Sequence, residues 1–327
     1  MTGTPLLILL LFVGLAIPAV AGPRVLQSAA PELMRKPRLA IALLAGGVVA
    51  WVLAALSIGP LLAWVVTGPD VLPGDAAAVC SQCLAAADPF GLDRVDTVVP
   101  VVLLLVVPVA VSVFYAVSIV RELRGRHRRV VRSAWMLRAG GRWRTLHGYR
   151  VLVVDDPHPF ALTLPRRHGG IVVSTGAVDV LADDEMRAVL AHEDAHLRQR
   201  HHLVMTVVTT LTSRLRWIPL FAAAESALGH YLEIAADDAA RREAGTTALA
   251  SALLVLGQKG HPAACRPGLD GALHALGPDR IRHLVEPGQG RAGVAAVTAS
   301  AFCLTALAVL AAVVHIPYAI AVATGCL

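Results

Sequence analysis

The chain has 327 residues, of which 56% are hydrophobic, 16% charged and 5% aromatic, with a mean hydropathy of +0.64. A soluble domain usually carries about 25% charged residues. The composition therefore argues against a soluble globule and excludes a disordered chain or a disulfide-stapled miniprotein. Net charge is +6 and unevenly placed, with ten arginines between Arg121 and Arg150, directly after an apolar run.

Four stretches are apolar enough to cross a bilayer, which takes about 20 residues: 6–21, 39–66, 98–120 and 294–314. None contains Asp, Glu, Lys or Arg. The first ends in Ala19-Val20-Ala21 before Gly22, like a signal-peptidase site, but residues 1–5 lack the basic stretch of a signal peptide. A retained span is expected, with a cleaved signal as the alternative. After the first span come Arg24, Arg35, Lys36 and Arg38. The next loop holds Arg94 against Asp70, Asp75, Asp88, Asp93 and Asp96, and the run from Arg121 to Arg129 follows the third span. By the positive-inside rule this pattern predicts a multi-pass α-helical protein of the plasma membrane with both termini outside. Residues 121–293 then form a cytoplasmic domain between a three-span part, 1–120, and a final span with a short tail, 294–327. The arginines suit anchoring to the anionic headgroups of the bilayer. No direct nucleic-acid binding is expected, since a reading helix with interleaved aromatics is missing. Cys80 and Cys83 fall in the outer loop, Cys326 in the outer tail, Cys303 in a span and Cys265 in the cytoplasmic part. A local disulfide or one to Cys326 is expected, because a second Cys-x-x-Cys pair for a metal knuckle is missing.

Within the cytoplasmic part, Val151–Val154, residues 160–164 and Ile171–Ser174 read as three short strands separated by Asp155-Asp156-Pro157, Pro165 and Gly169-Gly170. Asp183-Asp184-Glu185 then opens a helix predicted to run to about residue 202. This helix carries His192-Glu193-Asp194-Ala195-His196. Residues i and i+4 share a helical face, so both imidazoles can hold one Zn²⁺, and Glu193 can reach water on the metal as a general base. A chance H-E-x-x-H in this composition has an expectation of only about 1%. A third ligand is required, and Glu233 and Asp237, again i and i+4, offer two carboxylates. One can bind the metal while the other hydrogen-bonds an imidazole and fixes its tautomer. His230, one turn before Glu233, and Arg241 or Arg242, one turn past Asp237, are candidates for contacting substrate or the oxyanion. His201 and His202 read as the basic end of the motif helix. His127, His147, His168, His261, His274, His283 and His315 lack partner spacing and read as surface or loop residues. Residues 203–228 are apolar but contain Arg214, Arg216 and Pro219. A single crossing there would put Glu233 across the membrane from His192, so an interfacial or re-entrant helix pair is expected.

Three spans, a strand region, H-E-x-x-H, E-x-x-x-D and a last span together resemble the BlaR/MecR family of membrane zinc peptidases, the beta-lactam-responsive antirepressors. The match rests on Val151-Leu152-Val153-Val154-Asp155, on Gly170-Ile171-Val172-Val173-Ser174-Thr175-Gly176 and on the helix from Met186 to Leu197. Similar motifs occur in the CAAX-processing and stress-induced membrane gluzincins. Three spans before the motif favour the BlaR/MecR type. The resemblance implies a gluzincin-type α+β domain with one Zn²⁺ on His192, His196 and Glu233, with Asp237 supporting the ligand set from behind, and Glu193 as catalytic base. It also implies a substrate strand added along residues 160–164 and a protein substrate of the DNA-binding repressor type. The large penicillin-binding domain of the family's sensors is missing from this sequence, so direct beta-lactam sensing does not follow. A quality-control metallopeptidase of broad specificity and a non-catalytic metal-binding receptor are the alternatives.

Overall fold

The computed structural model describes residues 3–67, 74–88, 95–259 and 293–324. Asp70, Asp93, Arg94, Cys265, Cys326, His261, His274 and His283 lie outside them. Helix α1 covers Gly3–Arg35, α2 Pro37–Leu56, α3 Ile58–Val65, α4 Gly74–Ala87 and α5 Val101–Gly140, with two-residue strands β1 (Val66–Thr67) and β2 (Val95–Asp96) pairing in parallel. Then follow β3 (Gly141–Leu146), β4 (Tyr149–Val154), β5 (Ala161–Thr163), β6 (Ile171–Ser174), α6 (Thr175–Val180), α7 (Asp183–Arg198), α8 (His201–Thr212), α9 (Pro219–Ala244), α10 (Thr246–Lys259) and α11 (Val294–Ala323).

Among the described residues, four helical stretches are long and apolar enough to cross a membrane: Phe12–Arg35, Pro37–Val65, Val101–Gly140 and Val294–Ala323. They differ from the sequence reading in extent. The first continues through Pro18, Pro23 and Pro31 to Arg35. The second is broken at Ser57, whose hydroxyl donates to Leu53 O at 2.9 Å. Close packing follows, since a Cβ on Gly59 would lie 2.1 Å from Pro108 Cγ and 2.5 Å from Leu104 O on α5. The third does not stop at the arginines. Its 40 residues rise about 60 Å, twice the hydrocarbon thickness of a bilayer, so apolar span and arginine run form one rod.

The far end of that rod meets the sheet. Strand order is β3-β4-β6-β5, with β4 and β6 parallel and both outer pairs antiparallel. Alternation along a strand sends successive side chains to opposite faces, and here both faces are covered. Leu152, Val154, Leu162 and Val172 pack against Ala134 and Leu137 of α5. Val151, Val153, Ala161, Ile171 and Val173 pack against Met186, Val189 and Leu190 of α7 and Ala252 of α10. Burying each Val or Leu contributes about 1.5–3 kcal/mol, which holds a four-stranded sheet of short strands. The three-strand expectation missed β3. Its signal is His147-Gly148, where both residues have positive φ (48° and 85°), a two-residue hairpin turn of the type that suits strand twist.

Residues 203–228 fold as a helix pair, α8 and α9, joined by a turn that Glu225 fastens. Its carboxylate accepts from Thr212 Oγ1 at 2.9 Å and from Arg216 at 2.6 and 3.0 Å. The apolar residues after Pro219 and the Glu233/Asp237 pair thus belong to one continuous helix. Phe221, Leu228 and Leu232 of α9 pack against Ala29 and Leu33 of α1 and Ala40, Leu44 and Val48 of α2. Cys83 is disulfide-bonded while Cys80 is free, so the local Cys80–Cys83 pairing does not form.

Candidate metal centre

Helix α7 is built to present its polar positions to α9. Three acidic residues, Asp183 to Glu185, complement the positive end of its dipole, and Glu185 Oε2 accepts from the free Ala182 N–H at 2.9 Å. One face gives Val189 and Leu190 to the sheet. Another is all alanine: Ala188 and Ala191 meet Ala240 of α9 and Ala248 and Leu249 of α10. Small residues let the helix backbones approach closely, and that approach carries the side chains of positions 192 and 196 to Glu233.

His192 Nε2 and His196 Nε2 lie 3.1 Å apart. Glu233 Oε2 is 3.5 Å from the first ring nitrogen and Oε1 3.5 Å from the second, and one ligand atom from each residue falls within 4.8 Å of the others. A tetrahedral zinc site with bonds of about 2.0–2.1 Å has ligand atoms about 3.3 Å apart. Two imidazole nitrogens and one carboxylate oxygen at these separations fit such an ion with a position to spare. The two carboxylates are fully buried, with Glu233 0% and Asp237 1% exposed, while His192 and His196 keep 7% each. Behind the first ring, His192 Nδ1 donates to Asp237 Oδ1 at 2.9 Å, which leaves Nε2 for the metal. Burial alone would push the His192 pKa down. The hydrogen bond to Asp237 and then the Glu233 carboxylate outweigh it and hold His192 up at about 10.

Glu193 points to the sheet edge. Its Oε2 accepts from Thr163 Oγ1 at 2.5 Å, and its backbone carbonyl lies 3.0 Å from the same hydroxyl. Thr163 ends β5, the outer strand, whose partner on the inner side is β6. The sequence carried no signal for Thr163, because only strand register brings it to α7.

The structure thus brings together His192, His196, Glu233 and Asp237. His230 stays one turn up α9, its ring 5.9 Å from that of Tyr231. Arg242 is elsewhere: it lines a cavity of about 410 Å³ with Lys36, Pro37, Arg38, Leu39, Ala235 and Asp238, and Arg241 bonds Asp238 at 3.2 Å. The motif helix ends at Arg198, earlier than expected. Arg200 turns left-handed (φ 53°), and His201 starts α8. His201 Nδ1 consequently lies 2.9 Å from His196 Nδ1, on the ring edge away from Glu233, so it backs a ligand imidazole and is not itself placed as a ligand. Burial first, and then the charge on His192, push the His201 pKa down to about 4.

Residues 125–258 match the model of peptidase family M48, whose members are zinc-dependent metallopeptidases. Among curated proteins, the chain is similar to a "Protease HtpX homolog" of Burkholderia multivorans, 37% identical over 68 residues, covering 21% of this chain and 24% of the relative. A homolog of the same name from Acidiphilium cryptum is 39% identical over 71 residues, covering 21% and 25%, and one from Burkholderia thailandensis is 35% identical over 75 residues, covering 22% and 26%. The chain spans about a quarter of the length of these relatives. No solved structure gives a significant match. The matches support the M48 zinc-peptidase level of the resemblance and do not single out the BlaR/MecR type. The segment that folds around the buried histidines is similar to peptidase family M48 over less than half of the chain.

Proposed function

We propose that the chain is a membrane-anchored zinc endopeptidase, similar to the HtpX homologs, that cleaves membrane-proximal proteins with broad specificity. The observation that carries this is the buried His192/His196/Glu233 cluster within the M48-like segment. In this reading those three residues hold the ion, and Asp237 holds His192 in the tautomer that offers Nε2. When bound, zinc supplies a Lewis acid and lowers the pKa of water at the site. Glu193 then takes a proton from the attacking water on its carboxylate and returns it to the leaving amine nitrogen. An extended substrate segment pairs with the outer edge of β5, which sets its carbonyl beside Glu193. His230, one turn from Glu233, is proposed as a substrate contact.

The basic, acidic, basic order of the loops supports an active site on the cytoplasmic side. Val106, Val109, Val113 and Phe114 of α5 are exposed, as lipid-facing residues would be. In that orientation residues 121–293 form the catalytic domain between spans, with both termini outside. One observation favours a second reading, a signalling peptidase cleaving a transcriptional repressor: among the described residues three long apolar helices precede the motif helix and one follows it, the order on which the BlaR/MecR resemblance rests.

N-terminal profiling of cells carrying the wild-type chain or Glu193→Gln separates the readings. The proposal predicts many lost cleavage products from membrane and membrane-proximal proteins. A single lost product in a DNA-binding protein would favour the second reading. An unchanged profile, with zinc retained, would reject both and leave a non-catalytic receptor.

A further inference from the structure

We propose that His201 is a positioning residue for the metal ligand His196, accepting at its Nδ1 the proton that His196 carries on Nδ1. The inference rests on His192, His196 and Glu233 being the ligand set. The two Nδ1 atoms are 2.9 Å apart, the rings meet nearly perpendicular at 89° with centroids 4.8 Å apart, and His201 is 2% exposed. Two nitrogens at that distance share one proton, and its side decides what His196 can do. If His201 donates, His196 holds its own proton on Nε2, facing His192 and Glu233, and that nitrogen cannot bind a metal. If His196 donates, its Nε2 lone pair faces the other two ligand atoms. A metal-binding cluster therefore requires His201 to be the neutral acceptor.

The backbone is bent to make this contact. Continued helix from Arg198 would carry residue 201 about 7.5 Å along the axis from His196 and 140° around it, away from the ring. Instead Arg200 adopts φ 53° and ψ 37°, a left-handed conformation disfavoured for a residue with a Cβ. The new helix α8 begins with His201 folded against the rear of His196. Such local strain persists where surrounding contacts over-determine it. The two ligand imidazoles are thus backed differently: His192 by the carboxylate of Asp237 at 2.9 Å, His196 by a neutral ring.

The test uses the full chain in detergent micelles, with zinc affinity read by competition with a chromophoric chelator. In His201→Asn the side-chain oxygen takes the place of Nδ1 and keeps the acceptor; His201→Leu removes it while keeping apolar bulk. Loss of such an outer partner typically weakens metal binding 10–100-fold, so His201→Leu should fall in that range while His201→Asn stays within about threefold of wild type. Wild-type affinity in His201→Leu, or an equal loss in both variants, overturns the proposal. Should His201→Leu fail to fold, ¹⁵N-histidine spectra of the zinc-loaded wild type decide: a scalar coupling between the Nδ1 nuclei of His196 and His201 supports it, and its absence overturns it. A wild-type chain that binds no zinc defeats the ligand assignment itself, an outcome distinct from either of these.

Discussion

His192 is expected to lose a proton when zinc is added, because two carboxylates favour its charged form. Asp237 Oδ1 lies 2.9 Å from Nδ1 and Glu233 Oε2 3.5 Å from Nε2, and against the opposing effect of burial they hold the imidazole up at about 10. At pH 7 it is therefore cationic, about three units below that value, and zinc binds only the neutral ring. Freeing Nε2 of its proton therefore lowers the apparent affinity at pH 7. The sign is set by the raised value: apparent affinity climbs about tenfold per pH unit from neutrality and levels off near pH 10. Calorimetric titration of zinc in buffers of different ionisation heat counts the released protons and should find about one from His192 at pH 7. Asp237→Asn removes the leading cause of the raised value. It should move the plateau to lower pH and reduce the proton count, while the limiting affinity at high pH drops 10–100-fold. A proton count at pH 7 that is zero, or unchanged in Asp237→Asn, refutes the reasoning.

Thr163→Val deletes the hydroxyl that donates to Glu193 at 2.5 Å. A hydrogen bond to a charged group contributes about 1.5–3 kcal/mol, so peptide cleavage should slow by about 10–100-fold at unchanged zinc content, as read by rate assay and metal analysis together. Gly176→Ala places a methyl group 2.1 Å from Pro157 O and 2.5 Å from its carbonyl carbon, both backbone atoms. It should destabilise the sheet domain by about 1–3 kcal/mol, seen as a lower thermal midpoint. A midpoint equal to wild type would show that the 155–158 loop is not held against α6.

What was legible in the sequence was local and periodic. Spacing of i and i+4 placed His192 with His196 and Glu233 with Asp237, and the apolar runs located the four long helices. Short apolar runs bounded by turn residues marked β4, β5 and β6. What was not legible depended on context beyond a few residues. The arginines after Val120 read as a loop, yet α5 runs through them, because arginine is a good helix former and the sheet needs Ala134 and Leu137 as a cover. His201 read as the end of a helix, whereas a single left-handed residue, Arg200, turns it back onto His196. Thr163 meets Glu193 only through sheet register, and Arg242, five residues past Asp237 and so about 140° around α9, lines a cavity with Lys36 and Arg38. Family type was the coarsest reading: H-E-x-x-H with E-x-x-x-D specifies a clan of zinc peptidases, and the matches over residues 125–258 point within it to M48.

X-ray absorption at the zinc edge of the purified full chain tests the assignment of the metal most directly. Two imidazole nitrogens and carboxylate oxygen at about 2.0–2.1 Å are predicted, with the signal lost in a His196→Ala, Glu233→Ala double variant. Sulfur at about 2.3 Å, or a zinc signal that survives that double substitution, would contradict the account.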